Sequence, residues 1–442
     1  MDILDVLMTL FRCMQLCGLS QWMMERKTGK LYLSRLLEIY TICSLLVAFT
    51  ILLFGIFNDY YLFRKSDDAT TQIWDYVQIF GVRVAHFITI LEAFVRRHSH
   101  DSYIKQIREM DRIFEGSLNV DVDNRSLRKK VWRYAVVMIL IYAATGTVKL
   151  IVHYLYNDPK FFIYWVFYLL PFCICGVRYF QIFTTLIIVH HRLDKLVMIL
   201  KELNLLHSKP KQDTTDTSNT NIKFISQALP FYKTTEYLEQ QYDAENSDMK
   251  RLLIIRDLYN RLWELTTMLN NDIGISVLSN VGNDFISITA NCYWIFLYFK
   301  PYSTVSDNFL KITISTIWST PHLFNILMLA LLCERTVQRA NAIALDLHRI
   351  ETNIWNDNHN IVVSKEIIIC YNKVFSYFTY EFFFFLLIEQ FSLQLLHQKL
   401  VFSAAGFFDI NCSLIFTILG AITTYLIILI QFNMSKNKLT TD

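Results

Sequence analysis

Glycine is scarce in this 442-residue chain, 11 in all, and no glycine-rich phosphate loop can be drawn from them. No Ser-His-Asp spacing and no His-Glu-x-x-His helix is present, so nucleotide, acyl-transfer and zinc-hydrolase chemistry have no motif to rest on. Charge is low as well: 18% of residues are charged against 53% apolar, more oil than a soluble core needs. Residues 1–37 lack the unbroken apolar stretch of a cleavable signal, being interrupted by Arg12, Arg26, Lys27, Lys30 and Arg35. None of the nine cysteines falls in a segment expected outside the membrane, which excludes an extracellular disulfide framework. Cys173 and Cys175 flank one residue inside an apolar run, where small buried thiols are a better reading than a metal pair. No metal, cofactor, catalytic centre or nucleic-acid partner is expected.

What the chain has is apolar length. Seven windows reach the roughly 20 residues needed to cross a bilayer: Ile39 to Phe57, Ile73 to Phe94, Tyr134 to Tyr156, Phe161 to Val189, Gly274 to Phe299, Ile312 to Leu332 and Leu414 to Phe432. The fold class expected is therefore an all-α polytopic membrane protein. Pro171 in the long fourth window predicts a kink. With the N-terminus inside, 32 of the 42 Lys and Arg fall in inner segments, 7 in outer ones and 3 within spans. The positive-inside rule then puts the N-terminus in the cytoplasm and, after seven crossings, the C-terminus outside. A G-protein-coupled receptor would have the opposite orientation, and a transporter is disfavoured because no inverted repeat is visible.

The organisation expected is a cytoplasmic N-terminal segment (1–38), six spans with inner extensions (39–332), a cytoplasmic helical anchor (333–413), a seventh span (414–432) and an outer tail (433–442). Apolar stripes leave the bilayer at Ile104, Ile107, Met110 and Ile113, and at Leu252, Ile255, Leu258, Leu262, Leu265 and Leu269. Helical stripes outside lipid must bury against something, which predicts a packed cytoplasmic helical layer. Arg128, Lys129 and Lys130 read as a topology anchor at anionic lipid headgroups. SKPKQDTTDTSNTN (208–221) has the composition of a disordered insert. The aromatic stretch 361–389 stands apart, either a hydrophobic helix within the inner layer or a retained intron translated through its pyrimidine-rich tract. Lys373 and Glu381 argue against an eighth span.

The final window ends TTYLIILIQF. Residues seven apart nearly superpose on a helix, so Thr424 stacks over Gln431 and Tyr425 over Phe432, with Ile428 in the aliphatic middle. Repeated about a symmetry axis, this would ring one membrane face with amides and phenyls, the material of a hydrophobic gate. A terminal anchor with interfacial polar residues is the alternative.

The block Gln394 to Phe432 resembles the C-terminal signature of insect gustatory receptors: the small turn AAGFF (Ala404 to Phe408), Asp409 and Asn411 before the last span, and the Thr-Tyr to Gln-Phe ending. Phe11 to Trp22 before the first span adds a weaker match. Cys412 departs from the pattern, standing where the family often has Arg. The resemblance implies a homotetrameric, ligand-gated, cation-permeable channel of the plasma membrane, assembled alone or with other gustatory receptors, whose seventh span lines the pore. Gln431 and Phe432 would form its outer gate, and Thr424 and Tyr425 would brace it. An odorant receptor working with a co-receptor is the neighbouring alternative.

The resemblance also implies that a small-molecule tastant binds in the outer half of spans two to six. There the candidates are Lys149, His153, Tyr164, Trp165, Tyr168, Asn291, Trp294, Trp318 and His322, since aromatic faces beside a few donors suit flat or glycosidic ligands. Arg83, Glu92, Lys149, Arg178 and Asp284 lie within spans, where an unpaired ion costs roughly 3 kcal/mol or more. Arg83 with Asp284 is an expected pair, and His86 is expected to be a hydrogen-bonded core residue.

Overall fold

A computed structural model describes residues 2–25, 31–63, 69–155, 165–208, 231–299, 305–363 and 371–439. They form ten α-helices: α1 (Ile3–Leu16), α2 (Arg35–Phe63), α3 (Ala69–Val95), α4 (Ser99–Gly116), α5 (Asn124–Leu155), α6 (Leu170–Ser208), α7 (Phe231–Tyr298), α8 (Val305–Val363), α9 (Tyr371–His397) and α10 (Cys412–Leu439). A short antiparallel hairpin, β1 (Trp22–Met24) with β2 (Leu31–Leu33), precedes the first span.

Among the described residues, six helical stretches are long and apolar enough to cross a membrane: Arg35–Phe57, Tyr76–Val95, Asn124–Val152, Phe167–Leu205, Asn308–Thr352 and Cys412–Phe432. The fifth expected span, Gly274 to Phe299, is helical within α7 but is not apolar enough by itself. Its Asn280, Asn283, Asp284, Ser287 and Asn291 are all buried. This span turns a polar face inward, so composition understates it. The protein is a multi-pass, all-α membrane protein.

The helix is irregular just before Pro171. A π turn, Trp165–Leu169, runs directly into α6, and the Phe167 carbonyl, four residues before Pro171 and deprived of its usual donor, accepts from Arg83 instead (3.0 Å). α6 is the hub, with 89% of its apolar window buried, and it packs most extensively on α8. α3 packs on α7 and α2 packs on α3. α10 is peripheral: 17% of its window is buried, and among the described residues it packs chiefly on α7 and α8.

The stripes that leave the bilayer do pack. Ile104, Ile107 and Met110 on α4 and all six apolar positions from Leu252 to Leu269 on α7 are buried in one core, at about 2 kcal/mol for each fully buried aliphatic side chain. Asp111 on α4 meets Arg192 on α6 (2.8 Å), and burial pushes this carboxyl above its ordinary value despite the neighbouring guanidinium. α9 contributes buried Phe384, Ile388 and Phe391 to the same layer, Phe391 meeting Tyr259 edge-on. Of the expected insert 208–221, all but Ser208 lies outside the described residues.

α1 had little sign in the sequence. Its face of Ile3, Leu4, Val6, Leu7, Leu10 and Met14 is buried against α5 and α6. Behind it Gln21 donates to Thr41 (3.0 Å), and the Trp22 indole donates to the Arg97 carbonyl (2.5 Å). The described residues before the first span are thus folded into the bundle.

Candidate functional site

An aromatic cluster occupies the end of the bundle where α5 finishes and α6 and α8 begin, opposite the long helical extensions. Helical spacing assembles it. Tyr168 and Phe172 lie four apart on one side, Trp318 and His322 four apart on the other, and the two pairs interleave. The Trp318 ring centroid is 5.1 Å from Tyr168 and 5.3 Å from Phe172. Phe172 also stacks on Tyr142 of α5 (4.7 Å) and approaches His322 (5.4 Å). The Lys149 ammonium sits 4.5 Å above the Trp318 ring, an attraction worth about 0.5–2 kcal/mol depending on how dry the site is. Between α5 and α6, beside Tyr142 and Leu169, opens a groove of about 430 Å³ walled by Met138, Gly146, Leu150 and Val177. That is the size of small-molecule sites.

Under the cluster lies a buried polar network. His322 Nδ1 is 2.7 Å from Asp284 Oδ1, and the Tyr179 hydroxyl donates to Asp284 Oδ2 (2.6 Å). Asn325 donates to the Tyr142 hydroxyl (2.9 Å). α8 carries Pro321 here, which withholds the donor that the Ile317 carbonyl would otherwise receive. Helix α8 is therefore loosened between Trp318 and His322.

The expected residues divide. Lys149, Tyr168, Trp318 and His322 come together. Asn291 is buried but spends its amide on the Ser287 carbonyl of its own helix (2.7 Å), and Trp294 stacks on Tyr298 instead (5.8 Å). Tyr164 and the side chains of His153 and Trp165 lie outside the described residues. Tyr142, Phe172, Tyr179 and Asn325 were missed, although Phe172 stands one turn from Tyr168 and Tyr142 two turns from Lys149.

Two pairings differ from expectation. Arg83 does not meet Asp284, whose oxygens are taken by His322 and Tyr179; Arg83 donates to the Phe167 carbonyl (3.0 Å) and lies over the Phe167 ring. His86 is buried, yet neither ring nitrogen has a hydrogen-bond partner among the described residues. The pair that does form is Glu92 with Arg178 (2.8 Å), both buried. Glu92 also accepts from the Ile275 and Ser276 backbone N–H groups (3.0 Å each) and the Ser276 hydroxyl, while Arg178 donates to the Asp272 carbonyl (3.4 Å). Spans two and four thus grip α7 on either side of Gly274.

Opposite that grip stands the turn before α10. Ala405 (φ 51°) and Gly406 (φ 77°) are both left-handed, which explains the glycine of AAGFF. Asn270 clamps the turn, donating to the Val401 carbonyl (2.7 Å) and accepting from the Ser403 N–H (3.2 Å). Glu334 reaches the Cys412 N–H (3.4 Å), and Asn411 accepts from that of Ser413 (3.0 Å), so the first two donors of α10 are met.

Along α10, Leu414, Ile418, Ile422 and Leu429 are buried against the rest of the chain. Gln431, nine positions from Ile422, points about 180° away from that residue, with Thr424 in the same column. Both are exposed. Tyr425 and Phe432 form a flanking column: Tyr425 meets Phe285 edge-on (5.9 Å), and Phe432 is 70% exposed. Ile428 lies on that flank, also exposed.

The 7tm chemosensory receptor family matches residues 7–360 and 384–436. The unmatched 361–383 fall within the stretch that stood apart in the sequence. The putative gustatory receptor 2a of Drosophila melanogaster is 38% identical over 453 residues, covering 100% of this chain and 99% of that one. The gustatory and pheromone receptor 32a of the same species is 28% identical over 190 residues, 43% of this chain and 35% of its own. The olfactory receptor OR5 of Machilis hrabei, solved in complex with eugenol, superposes with a TM-score of 0.60 over 98% of this chain and 100% of its own at 11% identity, a likeness of fold. On the family match and the full-length relative, the chain belongs to the 7tm chemosensory receptors.

Proposed function

We propose that the protein is a gustatory receptor that is itself a ligand-gated, cation-permeable channel, built from four copies with α10 lining a central pore. The observation that carries this reading is the lopsided burial of α10. An apolar helix that turns a column of Thr424 and Gln431 away from its own subunit can line water only if other copies stand opposite it. The full-length likeness to a Drosophila gustatory receptor supports the taste assignment.

A small organic tastant binds among Lys149, Tyr168, Phe172 and Trp318 and in the groove beside Tyr142. The eugenol complex of the Machilis receptor supports a ligand of this size for the fold. Occupation of the cluster strains α8 at Pro321 and shifts α7 through the Asp284–His322 contact. α7 carries the motion to Gly274 and thence to the turn that starts α10. The outer ends of the four α10 helices splay, Phe432 leaves the axis and Gln431 faces it. In this arrangement the N-terminus is cytoplasmic, the C-terminus is extracellular, and the packed inner layer joins the subunits.

Recording from cells that express this chain alone, against a panel of tastants, tests the reading. Cation currents are expected, and Gln431→Ala or Phe432→Ala should change their gating while surface expression persists. Unchanged currents in both variants would overturn the gate, and flux without unitary currents would overturn the channel.

A further inference from the structure

At the opposite end of the spans from the aromatic cluster lies a second groove, of about 550 Å³, that the gating reading does not use. The start of α5, the middle of α6 and the continuation of α8 enclose it. Its floor is apolar, with Val137, Phe324, Met328 and Leu331. Lys130 and Arg133 come to its rim from α5, His190 and His191 from α6, and Arg335 from α8. Arg133 and Arg335 are exposed and Lys130 is half-buried.

No ion pair within the chain engages Lys130, Arg133 or Arg335 among the described residues. The carboxylate close by, Asp194, is already committed to Arg339 (2.5 Å) and His190 (3.5 Å). Two helices, α5 and α8, therefore aim three like charges at one apolar trough, an arrangement that gains when an anion enters. The trough lies on the basic side of the spans, which the positive-inside rule places at the cytoplasmic leaflet, where the anionic lipids are.

We propose that this groove is a binding site for an anionic phospholipid of the inner leaflet. The headgroup phosphate sits between Lys130, Arg133 and Arg335, and an acyl chain runs along Val137, Phe324 and Met328. Charge at the rim and oil on the floor match a lipid at both ends, whereas a free anion would use only the rim. The site also sorts the basic run before the third span: Lys130 enters the groove, while Arg128 and Lys129 are exposed outside it. A lipid here would tie α8, the helix of Trp318 and His322, to α5 and α6.

The test is native mass spectrometry of the full-length receptor purified with phosphatidylserine and phosphatidylcholine present in equal amounts. Phosphatidylserine should be retained preferentially, and the triple variant Lys130→Gln/Arg133→Gln/Arg335→Gln should lose at least about fivefold of the bound fraction. Met328→Trp, which fills the trough and leaves every charge in place, should lose it too, and stands in if the triple variant fails to fold. Arg128→Gln/Lys129→Gln should retain it. Equal retention of the two lipids, or undiminished retention by both groove variants, would overturn the proposal. Displacement of the lipid by millimolar inorganic phosphate would assign the rim to a free anion and overturn it as well.

Discussion

Gly274 of α7 faces Ala405 so closely that a β-carbon on the glycine would stand 2.8 Å from the Ala405 backbone nitrogen and 3.0 Å from its α-carbon. Both partners in that contact are main chain, so neither can swing aside. The turn ahead of the last span is therefore seated directly on the helix that carries Asp284. On the other side of the same glycine, Glu92 and Arg178 take hydrogen bonds from, and give one to, the backbone of residues 272–276. One short stretch of α7 thus joins spans two and four to the start of the last span.

Gly274→Ala is the direct probe of this seat. Overpacking against main chain costs about 1–3 kcal/mol, and the expected result is a receptor that reaches the surface in reduced amount and responds weakly per molecule. Gly282→Ala, on the same helix with nothing within 4 Å of the added carbon, is the control and should behave as the parent. Currents normalised to surface labelling decide it: equal responses from the two variants would show that the seat plays no part in gating.

The pair Glu92–Arg178 makes a prediction about stability. Removing one member of a buried ion pair costs about 3–5 kcal/mol, whereas replacing both with apolar groups is often near neutral. Glu92→Leu and Arg178→Met should each lower the melting temperature of the purified protein sharply, and the double variant should recover most of the loss. An additive double variant would mean that the two side chains act independently.

At the aromatic cluster, side chains that converge are distinguished from one that does not. Lys149→Gln and Trp318→Leu should each raise the half-maximal tastant concentration about tenfold, the scale of one lost cation–π or stacking contact in a dry site. Asn291→Ala should leave it unchanged, because that amide is occupied within its own helix. Dose–response curves at matched surface expression read both, and a shift in Asn291→Ala as large as in Trp318→Leu would move the ligand toward α7.

These contrasts show which features the sequence could carry. The stripe from Leu252 to Leu269 was legible because a 3.6-residue period reports which face is buried, and six apolar spans were legible because lipid demands length. The fifth span was harder, since its buried Asn280, Asp284 and Asn291 face protein partners (Thr89 and Ser276, His322 and Tyr179, and Ser287 in turn) instead of lipid. Depth along a span can be counted from its ends, but azimuth cannot, so Arg83 and Asp284 were matched in depth while the fold turned Asp284 toward His322 and Tyr179. The seat of Ala405 on Gly274 joins residues distant in the chain through backbone alone, and no side-chain pattern announces it. AAGFF carried a local sign, a glycine where φ turns positive, but not what the turn rests on.

The orientation of α10 yields the final prediction. Leu429 faces its own subunit and Gln431, two positions on, is turned about 200° from it. If four copies surround one axis on the Gln431 side, the four thiols of a Gln431→Cys receptor converge, and mild oxidation in membranes should convert monomer to disulfide-linked dimer on a non-reducing gel. Leu429→Cys should not cross-link beyond the level set by the native cysteines of the parent receptor. Cross-linking through Leu429→Cys and not Gln431→Cys would place the axis on the other side of the helix, and the column of Thr424 and Gln431 would then face lipid.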